Sequence, residues 1–162
     1  MKKSIVVIAG ACVLLSCSPP AVDKEAAMRE VTEMLDSYEQ AFAAEDATAI
    51  GGTLTDDGTF YGTDPTEAWT RAQVMSIFEQ FKADSATSTT FTESSRTITL
   101  TDGGNGANIV TQGIYPFISS IVPVRVVAHA VNIEGTWKFD VVSYNMIPRN
   151  DDVVKINAAV KL

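Results

Sequence analysis

From Ser88 to Ile147 the sequence alternates extended runs with turns: Ser88 to Thr101, Ala107 to Ile118, Ile121 to Ile133 and Thr136 to Ile147. The runs are rich in threonine, valine and isoleucine. They are separated by Asp102-Gly103-Gly104-Asn105-Gly106 and by Glu134-Gly135, both turn signals, and so read as strands of a meander. A meander with an apolar face needs a second layer to cover it. That layer lies upstream. Met28, Val31, Leu35, Tyr38 and Phe42 are spaced 3, 4, 3, 4, the stripe of a helix buried along one side, and Ala27, Met34 and Ala41 widen it. The expectation is an α+β domain, with helices packed on one face of an antiparallel sheet.

The segment between stripe and meander supplies two more helices and one strand. Asp46 is placed to cap a short helix from Ala47 to Leu54, which Gly51-Gly52 weakens by roughly 1 kcal/mol per glycine. Thr55-Asp56-Asp57-Gly58 then turns the chain into a strand from Thr59 to Gly62. After Asp64-Pro65, Thr70-Arg71-Ala72-Gln73 has capping-box spacing, with Trp69 and Val74 placed as a hydrophobic staple. The third helix is expected from Arg71 to Ala83. The tail 148–162 carries no clear pattern.

The N-terminus belongs to a different class of segment. Lys2 and Lys3 precede an apolar run from Ile5 to Leu15, shorter than the ~20 residues of a membrane span. Its end, Leu14-Leu15-Ser16-Cys17, resembles a bacterial lipoprotein lipobox. That resemblance implies a signal peptide over 1–16, cleavage before Cys17, lipidation of the Cys17 thiol and a lipidated tether over 17–24. Residues 25–147 then form the domain. The location implied is the cell envelope, in the outer membrane facing the periplasm if the host is Gram-negative, since Ser18 follows the cysteine where an aspartate would retain the protein inside. Cys12 leaves with the signal and Cys17 carries lipid, so no disulfide is expected.

Without Lys2 and Lys3, 10 basic residues stand against 20 acidic ones, scattered along the chain. Such a charge argues against nucleic acid and against electrostatic binding to anionic headgroups, leaving the lipid as the expected membrane attachment. One histidine and no free cysteine cannot supply the usual ligands of zinc, so no metal site is expected. Phosphate-loop, dinucleotide and nucleophile-elbow motifs are absent, and no cofactor is expected.

The order of these signals resembles the SnoaL-like and ketosteroid-isomerase-like domains of the nuclear transport factor 2 superfamily. The parts that carry the resemblance are Tyr38 with Asp46, Asp56-Asp57 before the first strand, the turn Gly62-Thr63-Asp64-Pro65 with Trp69, and Gly135-Thr136-Trp137-Lys138 opening the last strand. The fold it implies is a cone, with three N-terminal helices on a curved antiparallel sheet. It also implies a site. Asp64 matches the carboxylate that moves a proton in the isomerases, and Tyr38 matches the tyrosine that donates to the developing oxyanion. The supporting acid of the isomerases falls at or near His129, so this chain departs from the pattern there.

Each residue has a plainer reading beside the catalytic one. Asp64 can spend its side chain on backbone amides of the Asp-Pro turn. Tyr38 lies on the apolar stripe, where its ring is buried whatever its role, and its hydroxyl needs a partner. His129 shares a strand face with Arg125, Val127, Val131 and Ile133, as a structural group would. Trp69 and Trp137 read as core residues. Tyr38, Phe42, Tyr61, Trp69, Tyr115, Phe117 and His129 are the candidates for lining an apolar pocket between helices and sheet, the form of a small-molecule site.

Two functions follow from these readings. One is a binding or accessory module that holds a small apolar molecule. The other is an isomerase, cyclase or dehydratase-type enzyme, with Asp64 as general base and Tyr38 as donor. They part on geometry, because only the enzyme needs Asp64 and Tyr38 to converge on one cavity. The strand from Val122 to Ile133 is apolar on both parities, which makes a homodimer through the outer face of the sheet a further expectation.

Overall fold

The computed structural model describes residues 22–83 and 89–160. The signal peptide expected over 1–16 and the lipidation expected at Cys17 lie outside the described residues.

Helix α1, Lys24–Ala43, begins where Asp23 accepts the free backbone N–H groups of Glu25 and Ala26. Its expected stripe is its buried face: Ala27, Val31, Met34, Leu35, Tyr38, Ala41 and Phe42. Helix α2, Ala47–Gly52, is capped by Asp46 through the Ala49 N–H. It stops two residues earlier than expected, because Leu54 already starts strand β1, Leu54–Tyr61. A two-residue strand β2, Ala68–Trp69, pairs back onto β1. Helix α3, Arg71–Ala83, has the expected bounds. The capping box forms at its start, with the Thr70 N–H donating to Gln73 Oε1 at 2.9 Å.

The meander follows as β3, Thr92–Thr101, β4, Gly106–Ile114, β5, Val124–Ile133, and β6, Thr136–Met146. A single 3-10 turn, Asp102–Gly104, joins β3 to β4. Between β5 and β6 the two-residue turn sets φ at 51° for Glu134 and 85° for Gly135, the mirror-image turn that matches strand twist. The tail forms a fourth helix, α4, Asn150–Ala159, with none of its residues buried.

Strand order across the sheet is β2-β1-β6-β5-β4-β3, with β2 and β3 at open edges. Every pairing is antiparallel except β1 with β6, which run parallel. This one pair departs from the all-antiparallel expectation. It arises because β1 is separated from the meander by α3 and closes against the last strand. Irregular register between Leu54 and Thr59, Glu93 and Ser95, and His129 and Ala130 bends the sheet around its helices.

The core lies between α1, α2, α3 and the inner face of the sheet. From β5 it receives Val124, Val126, Ala128 and Ala130, each 8% exposed or less. Trp137 is buried as expected and donates its indole N–H to Glu30 of α1 at 3.2 Å. Arg96 of β3 crosses to the same helix, with ion pairs to Asp36 at 2.5 Å and Glu39 at 3.1 Å and a third pair to Glu93 at 2.9 Å.

Candidate functional site

At the β2 end of the sheet the helices and the inner face separate, leaving a cavity of about 290 Å³. Its floor is made of side chains that the core already buries: Tyr38 and Phe42 from α1, Leu54 and Phe60 from β1, and Val74 and Phe78 from α3. Its rim is more open. The 62–67 turn and Trp69 form one side, Phe81, Phe117 and Ile118 another, and Tyr144 and Met146 of β6 close it. Aromatic rings dominate these walls. Phe42 is the hub, 4.6 Å from the Phe78 ring, 5.6 Å from Phe117 and 6.1 Å from Tyr144 by centroid.

Two phenols are the deep polar groups. The hydroxyls of Tyr38 and Tyr144 lie 2.5 Å apart. Burial pushes the Tyr38 phenol up to about 12, against the opposing hydrogen bond from Tyr144. Burial also raises Tyr144 well above the ordinary phenol value, reinforced by the nearby Tyr38 and Tyr115. Both groups therefore stay neutral near pH 7. Two hydroxyls that share one hydrogen bond leave one O–H over, whichever of them donates. Among the described residues no acceptor takes it.

The rim holds one charged side chain, Glu67. Its Oε2 accepts the backbone N–H of Thr63 at 2.8 Å and of Asp64 at 2.9 Å. The turn closes around it through Gly62 N–H to Glu67 C=O and Glu67 N–H to Asp64 C=O. A Cβ at Gly62 would lie 2.1 Å from Glu67 Oε2 and 2.6 Å from Trp69 Cη2, so only glycine leaves room for the carboxylate.

Of the residues singled out in the sequence, Tyr38, Phe42, Trp69 and Phe117 line this cavity. Asp64 does not, and it does not meet Tyr38. Its Oδ1 accepts the Thr66 N–H at 2.8 Å and the Thr66 hydroxyl at 2.6 Å, and the side chain is solvent-exposed. Those two hydrogen bonds, the hydroxyl's first, hold its carboxyl below the usual carboxylate range. The local turn has taken the side chain that a proton transfer would need.

His129 also lies elsewhere, on the outer face of β5. Its Nδ1 is 2.8 Å from Asp140 Oδ1. The buried parity of that strand is Val124, Val126, Ala128 and Ala130, which sends His129 away from the helices. Tyr61 alternates with buried Phe60 and is 44% exposed outside the cavity lining. Tyr115 lies behind the wall, 2% exposed and stacked on Phe91 at 4.3 Å.

Tyr144 and Met146 were not foreseen, and the cause is a bulge. His129 pairs with Val141 and Ala130 with Phe139, so Asp140 is an extra residue in β6. Strict alternation from Trp137 would put Val141 and Ser143 inside. The bulge reverses the parity and turns Val142, Tyr144 and Met146 inward. Glu67 was missed because its role depends on the loop folding back. The one prior signal was a glycine five residues before it, at Gly62.

Among the described residues no three His, Cys, Asp or Glu side chains gather where they could hold a metal ion. No described helix is long and apolar enough to cross a membrane.

A sequence model of the SnoaL-like domain matches residues 31–143. No curated protein matches the chain in sequence. Solved structures do match in fold. A protein of unknown function from Pectobacterium atrosepticum superposes with a TM-score of 0.65 at 17% identity, over 81% of this chain and 98% of its own. An NTF2-like protein of unknown function from Pseudomonas putida gives 0.64 at 14%, over 78% and 91%. An NTF2-like protein with a cystatin-like fold from Novosphingobium aromaticivorans gives 0.64 at 13%, over 85% and 91%.

Proposed function

The chain belongs to the SnoaL-like domain family, and from that premise we propose that it is an exported, lipid-anchored module that binds a small apolar molecule. The observation that carries this reading is the aromatic-walled cavity of about 290 Å³ with a spare O–H at the Tyr38–Tyr144 pair. A volume near the lower end of natural ligand sites, few polar groups and deep aromatic walls suit a molecule of one or two rings that carries a hydrogen-bond acceptor. Binding is favoured over proton transfer because Asp64, the base proposed from the sequence, is engaged by Thr66 outside the lining. The two phenols stay neutral, which suits holding an acceptor and does not suit exchanging protons near pH 7.

Native mass spectrometry tests the reading on the chain expressed from Ser18, which keeps every described residue and carries no acyl group. The expected result is a bound species of roughly 100–300 Da, lost on denaturation or exchangeable for an added apolar probe. A protein that carries nothing and takes up no apolar probe contradicts it.

The anchoring half of the proposal rests on the lipobox-like Leu14-Leu15-Ser16-Cys17. Labelled fatty acid should enter the full-length protein and be lost in Cys17→Ala; label retained in that variant refutes the assignment. Self-association through the outer sheet face belongs to the same reading. Val110, Val127 and Val141 are 36%, 42% and 39% exposed there, and Val110 and Val127 are paired across the β4–β5 ladder. Sedimentation should show a dimer that Val127→Lys weakens, and a wild-type monomer at micromolar concentration would contradict it.

A further inference from the structure

Resting on the binding reading above, we infer that the cavity selects ligands with a cationic head, an organic ammonium on an apolar body, and that Glu67 is the group that selects them. Glu67 is the one charged side chain in a lining otherwise made of apolar residues, two tyrosines, a threonine and a glycine. It has no ion-pair partner among the described residues. Both of its recorded hydrogen bonds come to Oε2, so the turn leaves Oε1 uncommitted. A half-buried carboxylate beside low-dielectric walls attracts a cation more strongly than a solvated one does.

The neighbours favour the same sign of charge. Gly62 clears the space in which the carboxylate lies against Trp69, and the rings of Trp69, Phe81 and Phe117 line the same rim, where a ring whose face meets an ammonium attracts it through its quadrupole. The whole chain is acidic, with a net charge of −8, which draws cations toward the opening and repels anions. The two ends of the site then divide the work. The rim carboxylate and its aromatic neighbours hold the charged head, and the hydroxyl pair accommodates an acceptor if the ligand carries one.

The test compares three probes of nearly equal size, 4-phenylbutan-1-amine, 4-phenylbutan-1-ol and 4-phenylbutanoate, titrated calorimetrically into the chain expressed from Ser18. The amine should bind at least about tenfold tighter than the alcohol, and the carboxylate weakest. In Glu67→Gln, whose amide oxygen can still accept the two turn N–H groups, the amine should lose its advantage and come within about twofold of the alcohol. Raising salt from about 20 to about 500 mM should narrow the wild-type gap, a measurement that does not depend on the variant folding. Equal binding of amine and alcohol to the wild-type protein would overturn the inference and leave the cavity reading standing. A preference that survives in Glu67→Gln would overturn the role of Glu67. Failure of all three probes to bind would overturn the cavity reading, and this inference with it.

Discussion

Replacing Glu39 with glutamine should stabilise the protein at neutral and alkaline pH. Glu39 lies on α1 beside Arg96, with Asp36 and Glu93 on the same guanidinium. One positive charge faces three carboxylates. Burial raises the Glu39 carboxyl from 4.5 to about 7; Arg96 opposes the shift, and Glu93 and Asp36 add to it. The unfolded chain ionises this group near 4.5, so the folded state binds its proton more tightly. Its contribution is therefore fully present below about 4.5 and is lost as pH rises to about 7, above which the loss is constant. At 1.36 kcal/mol per pH unit the span corresponds to about 3 kcal/mol. The side chain is still 21% exposed, so solvent screening reduces this to about 2 kcal/mol. Urea denaturation from pH 4.5 to 8.5 should show wild-type stability falling over that window. Glu39→Gln should remove about 2 kcal/mol of the fall and exceed the wild type at pH 8. A variant less stable than wild type at pH 8 would show the opposite balance, with the Arg96 pair outweighing burial.

Three other perturbations address the cavity and its turn. Tyr38→Phe and Tyr144→Phe each strand the other buried hydroxyl and should cost about 1–3 kcal/mol in urea denaturation; the double variant should cost clearly less than the sum, and strict additivity would deny the coupling. Gly62→Ala should lower stability by about 1–3 kcal/mol and shift the tryptophan emission, because its Cβ invades the space of Glu67 and Trp69; unchanged emission and Tm would show that the turn yields without strain. Asp64→Asn should change the affinity for an apolar probe by less than about twofold and cost under about 1 kcal/mol, as expected of an exposed turn residue. A large loss of affinity there would restore Asp64 to the site.

Local chemistry made much of this fold legible in advance. The α1 stripe, the Asp46 cap, the Thr70–Gln73 capping box and the Glu134-Gly135 hairpin each act over a few residues, and each forms as its spacing requires. Tyr38 and Phe42 reached the cavity lining for the same reason, since both sit on the buried stripe of α1, while Trp69 comes there from beside the capping box and Phe117 from the turn after β4. Features set by tertiary pairing were less legible. The parallel β1–β6 contact joins segments about 80 residues apart, and nothing in either strand encodes its direction. The Asp140 bulge reverses the parity of β6, which hides Tyr144, the partner of Tyr38, from any count by twos. Asp64 and Glu67 show the same limit in a turn. Both carboxylates lie within four residues, and only the folded loop turns Glu67 to the cavity and commits Asp64 to Thr66.

On the proposed function, a small apolar molecule enters the cavity between α1, α3 and β6. The most direct measurement is a side-chain NMR titration of the chain expressed from Ser18 with a neutral probe, 4-phenylbutan-1-ol. Saturable shifts are expected at Phe42, Phe78, Trp69 and Met146, with a stoichiometry of about one, and no shifts at Val110, Val127 and Val141 on the outer face. Shifts confined to that outer face, or none at any residue of the lining, would contradict it.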